Sequence, residues 1–189
     1  TIVLGTAGFG SAISVDDSFA VLDAYLAAGG NFIDTAHIYA DWIPGGAGAS
    51  ERTIGAWLAA RGLRDSIFLA TKGGHPPLDA LDQGRCSRAD LEQDLSESLE
   101  RLGVKHIDLY WLHRDDPALP VEQIVDTLVE FLASGLIDAY GFSNWPLARI
   151  QAAIGHAQAA GYTAPWGSQI GWALVDRRDP NPPVAGMSY

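Results

Sequence analysis

The sequence predicts an α/β fold on a parallel sheet, and three observations predict it. Short apolar runs alternate with amphipathic stretches, and the runs start at residues 2, 32, 67, 107, 139 and 166, a recurrence every 27 to 40 residues. That is the cadence of consecutive βα units. The runs are apolar almost throughout, as in Ile107-Asp108-Leu109-Tyr110-Trp111-Leu112, which marks strands covered on both faces. No internal linker or low-complexity segment divides the 189 residues, so a single domain is expected. A doubly wound open sheet and a (β/α)8 barrel both satisfy this pattern.

Each element has its own signal. Strands are predicted over residues 2–5, 32–34, 67–72, 107–113, 139–143 and 166–169. The first helix, 16–28, carries Phe19, Leu22, Tyr25 and Leu26 on one face and stops at Gly29-Gly30. The second, 51–61, is predicted to be capped by Ser50, to bury Ile54, Trp57 and Leu58, and to end before Gly62. Ser87 is a predicted cap for the third, 88–102, with Leu91, Leu95, Leu99 and Leu102 inward. Pro120 and Pro146 open the fourth and fifth, 121–133 and 147–160, and Gly135 and Gly161 follow them. The stretch 179–183 reads as a loop that leads into no further strand.

Composition excludes several classes. The chain is 48% hydrophobic and 19% charged, ordinary for a globular protein. With a net charge of −11 and its 12 Lys and Arg dispersed, it lacks the basic face of a nucleic-acid binder. No apolar run approaches the roughly 20 residues of a membrane span. The lone Cys86 rules out an intrachain disulfide framework and fits the cytoplasm. It reads as a half-buried thiol without a role, although Arg85 beside it leaves room for an activated one.

The polar residues at the strand ends carry the chemistry. The second strand ends in Asp34, the third in Lys72, the fourth in His113, the fifth in Ser143-Asn144 and the sixth in Gln169. In a parallel sheet these ends share one rim, where chemistry occurs in both barrel and open folds. Taken alone, each has a plain structural reading: Asp34 as a turn residue, Lys72 as a solvated strand end, His113 as a core imidazole. Asn144 could be a helix-entry residue and Tyr39 an ordinary half-buried aromatic. Their convergence favours a site. A phenol beside an ammonium is a better proton donor than an isolated one, and a carboxylate keeps that ammonium charged and oriented. An imidazole can bind the oxygen being protonated. These groups suit a carbonyl becoming an alkoxide, and since none of them carries a hydride, reduction needs a cofactor. Ser143, Asn144 and Gln169 have the donors and acceptors to hold a carboxamide.

Other motifs carry less. Gly5-Thr6-Ala7-Gly8-Phe9-Gly10 lacks the glycine spacing of a dinucleotide fingerprint and reads as a flexible first loop. The glycines at 45, 46 and 48 read as a rim loop, on which Trp42 is a candidate for lining a substrate pocket. His37, His75 and His113 lack metal-ligand spacing, and no metal is expected.

The residues Asp34-Thr35-Ala36-x-x-Tyr39, Ser50-Glu51 with Gly55, Thr71-Lys72, Asp108 through His113, Gly141-Phe142-Ser143-Asn144 and Gln169 resemble, in order and spacing, the aldo-keto reductases. The resemblance implies a (β/α)8 TIM barrel rather than an open sheet. It also implies metal-free, NAD(P)H-dependent reduction of a small-molecule aldehyde or ketone, with NADPH favoured over NADH. By position, Tyr39 would be the proton donor, with Lys72 as its electrostatic partner. Asp34 would pair with Lys72, and His113 would orient the carbonyl. Ser143, Asn144 and Gln169 would bind the nicotinamide amide. Only about six βα units are present, so the barrel is expected to be truncated, with strands 7 and 8 and the amino-terminal hairpin absent. Two other functions compete: a nucleotide-binding regulatory subunit of the same fold with little turnover, and a Schiff-base aldolase using Lys72. Cofactor oxidation by a generic aldehyde separates the first from a reductase, and borohydride trapping on Lys72 would mark the second.

Overall fold

The structure, a computed structural model, describes residues 2–171. The chain runs β1 (Leu4–Gly5), α1 (Val15–Ala27), β2 (Phe32–Asp34), α2 (Ala49–Arg61), β3 (Phe68–Gly73), α3 (Arg88–Leu102), β4 (Leu109–Leu112), α4 (Val121–Ala133), β5 (Tyr140–Ser143), α5 (Leu147–Ala160) and β6 (Ser168–Gln169), with a 3-10 turn over Arg64–Ser66. All six strands are parallel and lie in chain order, β1-β2-β3-β4-β5-β6. A doubly wound sheet reverses its strand order part-way, and this one does not. The expected loop at 179–183 lies outside the described residues.

The sheet is curled. Gln169 at the end of β6 reaches the carboxylate of Asp34 at the end of β2, 3.3 Å away across four strand steps. A flat sheet would hold these strands nearly 20 Å apart, at about 4.8 Å per step. The described residues thus form a half-barrel with five helices.

Strand side chains alternate between two apolar clusters. Ile33, Leu69, Tyr110, Leu112, Tyr140 and Phe142 point outward into a large core shared with the helices, against Leu22, Ile54, Trp57, Leu91, Leu128 and Ala153 among others. Ala70, Leu109 and Trp111, with Phe32, Phe68 and Ala139 packed on them, point inward and fill the lumen. The Trp166 ring completes the layer, with centroids 6.4 Å from Phe68 and 6.0 Å from Trp111. Gly141 faces this layer for lack of room. A Cβ there would lie 2.5 Å from the Trp111 ring and 2.8 Å from the Gly167 carbonyl.

Several boundaries and two local readings depart from the sequence reading. The second helix begins at Ala49 after Gly48, and Ser50 is not its cap. Ser50 is buried instead, donating to Thr6 O at 2.8 Å and lying 2.9 Å from the Thr35 hydroxyl. The same bonds overturn the reading of residues 5–10 as a flexible loop, because the Thr6 hydroxyl also donates to Asp34 O at 3.0 Å. The fourth strand starts at Leu109, not Ile107. The Asp108 carboxylate accepts from Leu69 N at 2.7 Å, where a strand carbonyl would otherwise stand. Cys86 is buried rather than half-exposed, and its Sγ donates to Arg114 O at 3.4 Å. Burial first, then the nearby carboxylates of Asp116, Asp115, Asp94 and Asp90, push its thiol far above the usual range. That excludes an activated thiol.

Candidate active site

Each strand end delivers its polar residue to one rim because parallel strands share a direction. Lys72 is the penultimate residue of β3, and its side chain is nearly inaccessible. Its ammonium donates to Asp34 Oδ2 at 2.5 Å, to Thr35 O at 2.7 Å and to the Tyr39 hydroxyl at 3.2 Å. Burying an ammonium is tolerated only with such compensation. The nitrogen also lies 4.8 Å from the centre of the Tyr39 ring. Tyr39 sits on the loop after β2, whose backbone is stitched to β3 by Thr35 N to Ala70 O and His37 N to Lys72 O, both 2.9 Å.

His113 directly follows β4, its amide held by Gly73 O at 2.8 Å. Its ring stands edge-to-face with Tyr39 at 5.9 Å and with His75 at 4.8 Å. Burial foremost, then the Lys72 ammonium, His75 and Arg114, hold the His113 imidazole well below its usual pKa. It is neutral at neutral pH, and its buried Nδ1 has no partner among the described residues. His75 Nδ1 lies 2.6 Å from Pro76 O, and burial lowers its pKa as well. Sequence reasoning missed His75, whose only signal is its place three residues after the strand-end lysine. Trp42, half exposed, stands at the mouth with its ring 6.3 Å from that of Tyr39.

Beside Asp34, Tyr39, Lys72 and His113 lie the amide and hydroxyl groups. Ser143 ends β5, and Asn144 follows it in the left-handed region at φ 55°. Asn144 Nδ2 donates to Ser143 Oγ at 3.0 Å, and Asn144 Oδ1 accepts from Gly171 N at 3.4 Å. Gln169 adds its amide through the bond to Asp34. Every residue predicted for the site therefore converges on one rim. The glycines of residues 45–48 form successive turns leading into α2, with Gly48 N bonded to Asp41 Oδ1 at 3.3 Å.

The described residues contain one grouping of potential metal ligands that sequence spacing did not reveal. His106, Asp108 and Asp138 bring ligand atoms within 4.8 Å of one another at the opposite end of the sheet. Arg64 already occupies Asp108 there at 2.9 Å.

The model of the aldo/keto reductase family matches residues 1–185. The chain belongs to the aldo/keto reductase family. Among curated aldo/keto reductase relatives, str7 of Strobilurus tenacellus is 42% identical over 143 residues, covering 75% of this chain and 39% of that protein. Norsolorinic acid reductase stcV of Emericella nidulans is 35% identical over 159 residues, 77% of this chain and 39% of the relative. An aryl-alcohol dehydrogenase (NADP(+)) of Phanerodontia chrysosporium is 33% identical over 156 residues, again 77% and 39%. The match thus spans well under half the length of these relatives. Among the described residues, no helix is long and apolar enough to cross a membrane.

Proposed function

We propose that the protein of which this chain forms part reduces an aldehyde or ketone to an alcohol with NADPH. The observation that carries the reading is the Lys72 ammonium, which reaches Asp34 at 2.5 Å and the Tyr39 hydroxyl at 3.2 Å, beneath a neutral His113. The carbonyl oxygen is bound between the Tyr39 hydroxyl and an imidazole N–H of His113. As negative charge grows on that oxygen, Tyr39 gives up its proton to it, and the Lys72 ammonium stabilises the phenolate left behind. Asp34 and Thr35 O keep the ammonium aimed at Tyr39. Tyr39 then recovers a proton from solvent at the mouth.

A nicotinamide ring supplies the hydride when bound. The residues at the rim fit its carboxamide. Ser143, while accepting from Asn144, keeps its own hydroxyl proton to donate, and Gln169 keeps its carbonyl oxygen to accept. The NADP(+) in the name of the aryl-alcohol dehydrogenase supports NADPH. That relative, the norsolorinic acid reductase and the exposed Trp42 together make aryl carbonyls the substrates to test first.

The test is NADPH oxidation by benzaldehyde in the full-length protein and its Tyr39→Phe variant. General acid catalysis contributes about 10²- to 10⁴-fold, so Tyr39→Phe should lower kcat at least about 100-fold and leave NADPH affinity unchanged. An undiminished rate in the variant would sink the assignment.

A further inference from the structure

One motif of the sequence has no part in the chemistry above, namely Ser50-Glu51 with Gly55. Glu51 is fully buried. Its Oε1 accepts from the Thr71 hydroxyl at 2.7 Å, and its Oε2 from Arg101 Nη1 at 3.3 Å. The same Nη1 donates to His37 O at 3.2 Å, and Arg101 Nη2 donates to Glu97 Oε2 at 2.7 Å. Glu97 Oε2 in turn lies 2.8 Å from His37 Nε2. Thr71 immediately precedes Lys72, and His37 stands two residues before Tyr39. One carboxylate–guanidinium pair therefore grips both the strand that carries the lysine and the loop that carries the tyrosine.

The path of Arg101 is built for this. A Cβ on Gly48 would come within 2.7 Å of its Cδ and Nε, and one on Gly55 within 2.6 Å of its carbonyl. The two glycines let α2 lie directly against the end of α3 and leave a channel for the guanidinium. By contrast, among the described residues the Tyr39 side chain has a single hydrogen bond, from Lys72 at 3.2 Å. Its position follows from where its loop is held.

We propose that Glu51 and Arg101 are positioning residues that fix the separation between the Tyr39 hydroxyl and the Lys72 ammonium. The proposal rests on the reductase reading for its kinetic consequence but not for its geometric one. Displacing a reacting group by about 1 Å can cost 10²-fold in rate, and Arg101→Met removes three bonds, one of them to the loop itself at His37 O.

The experiment uses the full-length protein with NADPH and benzaldehyde, together with crystal structures of parent and variants. Arg101→Met should lower kcat about 10- to 100-fold with NADPH affinity changed less than about twofold, and should lengthen the Lys72–Tyr39 contact beyond hydrogen-bond range. Arg101→Lys, which keeps the cation facing Glu51, should recover part of the loss. A merely structural role would lower the melting temperature in both variants without separating kcat from affinity. If Arg101→Met fails to fold, Glu97→Gln, on the solvent side of the clamp, should show the same pattern at severalfold. If Tyr39→Phe abolishes reduction while Arg101→Met or Glu97→Gln leaves kcat intact, the clamp is wrong and the reductase reading stands. If Tyr39→Phe changes nothing, that reading falls, and an unchanged Lys72–Tyr39 distance in the Arg101 variant overturns the clamp on its own.

Discussion

His113 and His75 show how much a residue's behaviour depends on where it is buried. An exposed imidazole titrates near 6.5. Burial holds both rings below that value, helped at His113 by the Lys72 ammonium and at both by the Arg114 guanidinium, while at His75 the Pro76 carbonyl foremost, then the carboxylates of Asp41 and Asp94, act oppositely. The sign follows from linkage. As pH falls below about 6.5, the unfolded chain takes up protons that the native rings refuse, so the folded state loses stability toward acid and is most stable above that pH. We expect the urea midpoint to fall between pH 7.5 and pH 5.0, and to fall less in a variant with both residues changed to Gln. Carboxylates held down in the native state, such as Glu97 by Gln93 and His37, give a slope of the same sign. The difference between parent and variant is therefore the diagnostic quantity, and equal slopes would refute the assignment. Whether a strand-end histidine is charged was not legible in the sequence, because desolvation comes from residues distant along the chain.

Two serines near helix starts illustrate the element scale. Ser87 caps α3 as its sequence suggests, with its hydroxyl accepting from Asp90 N at 3.2 Å. Ser50 resembles it in sequence yet is a buried hub between the first loop, the loop after β2, and α2. Losing a cap costs about 1 kcal/mol. Stranding a buried hydroxyl such as that of Thr35 costs about 1–3 kcal/mol. We therefore expect Ser50→Ala to lower unfolding free energy more than Ser87→Ala in denaturant titrations, and the reverse order would contradict the hub. Helix existence and inward faces were readable from periodicity, and α3, α4 and α5 have the predicted bounds. The start of α2 was not, since Gly48 enters it at φ 66° without a side-chain cap. Glu51 had a signal that could have been followed. It lies three residues before Ile54 on the face that carries Trp57 and Leu58, a charge where the helix pattern calls for an apolar residue.

At the scale of the whole molecule, β1 and β6 each pair on one side only among the described residues. Open strand edges are templates for association, and Trp166 in the lumen layer and Ile170 just after β6 are substantially exposed. The 189-residue chain by itself should self-associate, giving a mass well above its 20.1 kDa in size-exclusion chromatography with light scattering at tens of micromolar. A single species of that mass would show that these edges are protected. We further propose that the chain is one aldo/keto reductase barrel domain to which further βα units belong.

What the sequence by itself determined was local or periodic. Strand cadence, helix faces and the polar residue at the end of each strand follow from short-range pattern, and one shared strand direction then brings Asp34, Lys72, His113, Ser143 and Gln169 to one rim. Only the tertiary structure decided the curl that brings Gln169 to Asp34, the neutrality of His113, and the buried Glu51–Arg101 pair beside the loop that carries Tyr39. The curl and the buried pair depend on contacts between residues 135 and 50 positions apart, and the His113 imidazole on burial and on Lys72 and His75 from another strand end, none of which a short window of sequence contains.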